Sequence, residues 1–82
     1  MTDTPYHEKF PVGTSVRIAD LLTLREFHRT WNYHNKLQEQ QLACHDQIAV
    51  ASQVGFYHGG DPLYELEGIP GFWHEENLQQ AS

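Results

Sequence analysis

Basic residues are scarce in this 82-residue chain: five Lys plus Arg stand against eleven Asp plus Glu, a formal net charge of −6. The five are scattered as Lys9, Arg17, Arg25, Arg29 and Lys36. A phosphate backbone is held mainly by clustered Lys and Arg, so nucleic acid is excluded as a partner, and anionic lipid with it. The six His can add charge near pH 6 without making the domain basic. Cysteine is scarcer still. Cys44 stands alone, which rules out an intrachain disulfide and suits a reducing compartment. The opening MTDTPYHEK has neither a basic n-region nor an apolar core of the kind a secretory signal needs. No apolar run reaches the roughly 18 residues of a membrane-spanning helix. The expectation is a cytoplasmic protein with no membrane partner. Gly and Pro are missing from 16–54, which favours helix within that stretch.

What is present is apolar surface. Hydrophobic residues make up 39% of the chain and aromatics 12%, too much for a disordered segment. A chain this short buries only about 60–65% of its unfolded surface, so it supports one domain with a thin core. The domain is expected over 10–78, with 1–9 and 79–82 as flexible termini.

Three zones follow along the chain. Ser15-Val16-Arg17-Ile18-Ala19 alternates apolar and polar residues, the pattern of a half-buried strand. From 21 to 42 the period changes: Leu24, Phe27 and Trp31, joined by Leu21, share one helical face, and Asp20 precedes them as an N-cap. This predicts a helical insertion about 21–42, with its helix over 21–33. The polar Gln38-Glu39-Gln40-Gln41 is expected to lie outside the core. The third zone predicts a long strand over 47–57, with Ile48, Val50, Val54 and Phe56 on one face. His58-Gly59-Gly60-Asp61 follows, where a glycine supplies the positive φ of a tight hairpin. Pro62 leads into a strand over 63–67. Gly68-Ile69-Pro70-Gly71 reads as a second turn, and 72–75 as a third strand running into one short helical turn. Val16, Ile18, Val50, Val54 and Leu66 are the expected interior.

A strand, a long excursion, then three strands joined by tight turns is the order of an SH3-like barrel. The fold expected is mostly β: a small SH3-like barrel with a helical insertion after the first strand. Gly13-Thr14-Ser15-Val16-Arg17-Ile18, the long excursion and Pro62-Leu63-Tyr64-Glu65-Leu66 together resemble the electron-transport accessory group of SH3-like barrels. That group includes the nitrile hydratase β subunit and the variable chain of ferredoxin–thioredoxin reductase. The resemblance implies a non-catalytic chain that docks on a metal- or cofactor-bearing partner. Where the nitrile hydratase β chain has an Arg-rich stretch after its first strand, this chain has Asp20-Leu21-Leu22-Thr23-Leu24. Only the fold and the accessory role are therefore implied, and no individual site.

The chemistry-bearing residues fall into no standard catalytic spacing. Trp73-His74-Glu75-Glu76 lacks the second His of a zinc helix, and on a strand His74 and Glu75 point to opposite faces. Gly59-Gly60 is neither a phosphate loop nor the start of a helix. His45, His58, His74 and Cys44, with Asp61 and Glu75, are the material of a rival metal-binding or redox reading, in which His45 activates the Cys44 thiol. A third reading is a small-molecule pocket between helix and barrel.

The aromatics carry the most functional weight. Neighbours on a strand face opposite ways, so Phe56 and Tyr57 cannot both be buried by one sheet, nor can Phe72 and Trp73. Tyr57, His58, Tyr64 and Trp73 with the carboxylates Asp61, Glu65 and Glu75 are expected to form one rim. That rim would bind a protein with a basic or neutral surface, with no cofactor of its own. The competing reading places Tyr64 and Trp73 in the core.

Overall fold

In the computed structural model, which describes residues 8–32, 36–57 and 61–81, Val16 and Ile18 are fully buried while Arg17 between them is exposed. Two-residue alternation of this kind makes β1 (Ser15–Ile18) a half-buried strand. β1 is followed by α1 (Leu21–Thr30), α2 (Glu39–Leu42), β2 (Ile48–Tyr57), β3 (Asp61–Leu66) and β4 (Ile69–His74). A 3-10 turn (Glu75–Asn77) and β5 (Leu78–Gln80) end the chain of elements. The molecule is mostly β: one antiparallel five-stranded sheet in the order β4-β3-β2-β1-β5. β4 and β5 are its two edges and do not pair with each other, so the sheet is open.

Asp20 caps α1 as its place before the apolar face predicts: Oδ1 accepts the Thr23 N–H at 2.8 Å. Hydrogen bonds from Thr23 hold the Asp20 carboxyl below the ordinary carboxylate value. Leu24 is fully buried and Phe27 packs beside it against the core. The helix stops at Thr30, short of the predicted 33, and Tyr33 lies outside the described residues. Its C-terminal carbonyls find an unexpected donor. The Lys36 ammonium reaches the His28 and Trp31 carbonyls at 2.7 and 2.9 Å, placing a cation at the negative end of the helix.

Gln41 corrects the expectation that the polar tract avoids the core. It is 2% exposed. Its Oε1 accepts the Gln38 N–H and its Nε2 donates to the Phe72 carbonyl, both at 2.8 Å. With both ends of the amide paired, burial carries little penalty, and the insertion is tied to the edge strand β4.

β2 departs from plain alternation. Its register runs Ala51↔Leu66 and then Gln53↔Glu65, leaving Ser52 as a bulge whose Oγ donates to the Glu65 carbonyl at 3.1 Å. A single extra residue inverts which face each side chain takes. Before the bulge Ala49 and Ala51 join the core; beyond it Val54 does. Ile48 is therefore 56% exposed, and Val50 is half-buried outside the core cluster. Val16, Ile18 and Leu66 sit in the interior as expected, and Val54 packs against it partly buried.

Two further boundaries shift. Leu66 pairs with Ile69, so the turn is Glu67-Gly68 with Gly68 at φ 74°, and β4 begins earlier than the sequence suggests. Pro70 and Gly71 form an irregularity before Phe72 rejoins the register. Gln79 and Gln80, expected to fray, pair with Arg17 and Val16 in β5. Backbone pairing needs no apolar side chain, and β1 had a second edge to satisfy. β2 and β3 pair out to Tyr57↔Asp61, as the hairpin expectation requires; Gly59 and Gly60 lie outside the described residues.

Gly71 has φ 85°, and a Cβ there would stand 2.7 Å from Gln41 Nε2. Gly71→Ala is expected to lower stability by about 1–3 kcal/mol, read from urea unfolding. Gly68→Asn, also at positive φ but with nothing within 4 Å of an added Cβ, is expected to cost clearly less. Equal losses would mean that Gln41 does not hold β4.

Candidate functional site

The predicted rim is divided by the sheet. Tyr64 and Trp73 are cross-strand partners on the core side, and both are 0% exposed. The expectation that their rings form part of an exposed binding face is overturned. Val54 faces Tyr64 from β2, and the Phe10 ring tilts against Tyr64 at a centroid distance of 5.6 Å. These rings fill the centre of a core too thin to spare them.

The Tyr64 hydroxyl is fully used. It donates to Glu75 Oε2 at 2.5 Å and accepts the backbone N–H groups of Lys9 and Phe10 at 3.0 and 3.2 Å. Glu75 Oε2 also accepts the Lys9 N–H at 2.8 Å. Glu75, expected on the partner face, thus fastens the segment before β1 onto the 3-10 turn. Burial, followed by the hydrogen bond to Glu75, pushes the phenol up to about 12.

Tyr57 and Glu65 remain on the outer face, where the structure adds Phe72, which the sequence did not select. Gln53, Glu65 and Phe72 are opposite one another across β2, β3 and β4, and Tyr57 lies further along β2 on the same side. Tyr57 and Phe72 are each 41% exposed, with ring centroids 6.2 Å apart and planes at 64°. A Cβ on Gly55 would fall 2.6 Å from the Tyr57 ring, so the bare backbone of Gly55 lets that ring lie across the strand. The signal for Phe72 was present in the Phe72-Trp73 pair: one ring in, one ring out. His58 lies outside the described residues, and Asp61 opens β3 opposite Tyr57.

A second aromatic group stands where α1 meets the end of β4. Phe27 and Trp31 stack at 5.2 Å, and the His74 ring lies 4.9 Å from each. Beside it, an apolar groove of about 420 Å³ runs along α1, lined by Leu22, Phe27, Thr30 and Asn77 among others. It is the nearest counterpart to the small-molecule pocket.

Among the described residues of the redox reading, His45 and Cys44 do not come together, and His58 lies outside the described residues. The His45 ring turns to Asp46, Nδ1 to Oδ2 at 2.9 Å, rather than to Cys44. Cys44 is buried, its Sγ 3.8 Å from the Gln40 carbonyl, and burial pushes its thiol up, away from a reactive thiolate. Among the described residues, no three His, Cys, Asp or Glu come together as a metal ion would require. No described helix is long and apolar enough to cross a membrane.

Tyr64→Phe is expected to cost about 1–3 kcal/mol, because the buried Phe10 N–H loses its acceptor and Glu75 its hydroxyl donor, and to speed amide exchange at Phe10 more than at Lys9, whose N–H keeps Glu75 Oε2. The raised phenol also sets a pH window. The folded state favours the protonated form, so this stabilisation is complete below about pH 10 and is lost as pH climbs toward 12. The wild type should therefore lose stability more steeply than Tyr64→Phe between those values, by chemical denaturation. Trp73→Ala is expected to cost about 3–5 kcal/mol, enough to unfold a domain of this size; a folded, stable variant would contradict the burial.

No family model matches the chain, and no curated protein or solved structure matches it either.

Proposed function

We propose that this chain is a small SH3-like interaction module without catalytic activity of its own, which docks on a protein partner through the outer face of β2, β3 and β4. The observation that carries this reading is the Tyr57–Phe72 pair, two rings in edge contact and each 41% exposed on the outer face of the sheet. Rigid aromatic rings with partial exposure supply much area for little ordering entropy, the property that makes Tyr a common interface anchor. Glu65 beside Phe72 and the net charge of −6 favour a partner with a basic or neutral surface. The strand order β4-β3-β2-β1-β5, with a 3-10 turn leading into the last strand, supports the SH3-like reading. An accessory chain of a cytoplasmic enzyme, nitrile hydratase-like in its arrangement, is the setting that the sequence resemblance implies.

Immobilised wild type, Tyr57→Ala and Phe72→Ala are to be compared for capture of partners from native lysate, read by mass spectrometry. The expected result is a specific partner lost with either variant, while the melting temperature stays within a few degrees of wild type. Each anchor is expected to contribute roughly 2 kcal/mol to binding. Gly55→Ala should weaken capture through the displaced Tyr57 ring. Retained capture by both single variants and by the double variant would refute this face.

A further inference from the structure

The region around the end of β4 holds a feature that the docking face does not use. Trp31, Pro62, His74, Glu75 and Glu76 enclose a pocket of about 260 Å³. The Trp31 and His74 rings meet at 59°, so they form a corner rather than a flat wall. Pro62 supplies a third apolar side. The two carboxylates come from the 3-10 turn that follows β4 directly. Glu75 has one oxygen committed to Tyr64 and Lys9, while Glu76 is exposed and forms no hydrogen bond or ion pair with the described chain. None of the described lining residues is Lys or Arg.

Rings attract cations through their negative π faces, and carboxylates at the mouth add charge of the same sign. An anion is repelled twice. A neutral apolar group would leave Glu75 and Glu76 without a counter-charge. A strongly hydrated metal ion gains nothing from Pro62 or the indole, and the described carboxylates and histidines do not converge as its ligands. The group that uses every wall is an organic cation with an apolar stem, in a volume that fits one long side chain.

We infer that this pocket binds a single guanidinium or alkylammonium group, either an Arg or Lys side chain of a protein partner or a free small amine. Trp31 and Pro62 take the flat or methylene part, with the buried His74 ring behind the indole, and Glu76, with the remaining oxygen of Glu75, takes the charge. The site is separate from the Tyr57–Phe72 face and does not depend on it.

The two tryptophans make the test selective, since Trp73 is wholly buried and Trp31 is not. The full-length, 15N-labelled chain is titrated with N-acetyl-arginine amide, agmatine and N-acetyl-citrulline amide, and the two indole N–H signals are followed. A Trp31→Phe sample identifies the Trp31 signal. The expected result is a saturable shift of Trp31, with Trp73 still, at millimolar concentrations of the two cations. The neutral citrulline compound should bind at least about threefold more weakly than its arginine counterpart. Glu76→Gln, an exposed change that leaves the fold intact, should weaken the cations about two- to fivefold without altering the citrulline response. Tighter binding of the peptide-like arginine assigns the cation to a protein partner, and tighter binding of agmatine to a small amine; both support the site. Absence of a saturable shift, equal binding of arginine and citrulline compounds, or an unchanged arginine affinity in Glu76→Gln would overturn it.

Discussion

One phenolic oxygen joins three parts of this molecule that lie far apart in sequence. Tyr64 projects from β3 into the core, donates to Glu75 on the 3-10 turn and accepts the N–H groups of Lys9 and Phe10 ahead of β1. A buried hydroxyl is costly unless its donor and acceptor capacity is used, and here both are. The hydrogen bonds hold Phe10 against the Tyr64 ring, which is how Phe10 comes to be 2% exposed. With Tyr64 fixed, its cross-strand partner Trp73 is fixed on the same face, and the rest of β4 must present Phe72 outward. The position of one hydroxyl therefore bears on which aromatics are exposed on the outer face.

The helical insertion is secured by polar contacts as much as by apolar ones. Leu24 and Leu37 reach the core, but the excursion is also tied by the Lys36 ammonium on the His28 and Trp31 carbonyls at the end of α1 and by the Gln41 amide on the β4 edge. An edge strand with open carbonyls invites pairing with other chains. Gln41 occupies the Phe72 carbonyl, and Pro70 and the positive-φ Gly71 interrupt the strand just before it. The side chain of Phe72 is left exposed while its carbonyl is engaged, so the docking proposed for this face would go through the ring rather than through strand addition.

Local features were legible in the sequence wherever a single segment contains its own cause. Asp20 before an apolar helical face, the Val16–Ile18 alternation and the strands flanking residues 58–60 are of this kind, and so is the rule that Phe72 and Trp73 take opposite faces. The rule could not say which ring goes inward, because that depends on Lys9, Phe10 and Glu75, partners 11 to 55 positions from Tyr64. Gln41 misled for the same reason: its acceptor on Phe72 is 31 residues away, and composition sees only a polar tract. The bulge at Ser52 was hidden differently. Ile48, Val50, Val54 and Phe56 keep even spacing, and parity cannot reveal an extra residue that inverts it midway. β5 was invisible because Leu78-Gln79-Gln80 owes its strand to an unfilled edge of β1, not to its own pattern.

The adjacency of Phe72 and Trp73 has a consequence for how function and stability are divided in so small a domain. In a thin core nearly every large apolar side chain is needed for folding, and one lost ring can exhaust the roughly 5 kcal/mol of stability at hand. A binding face assembled from core residues would couple every change in recognition to a change in folding. Strand alternation avoids this: the same six-residue strand, β4, sends Trp73 to the interior and Phe72 to the surface. The bulge in β2 serves the same separation from the other side, for it brings Ala49 and Ala51 inward before Ser52 and leaves Tyr57 outward after it. Tyr57 rests on the bare backbone of Gly55 rather than on the core, so its ring can be removed without opening a cavity. The aromatic and acidic residues of the outer face can thus be changed while Tyr64 and Trp73 keep the interior unaltered.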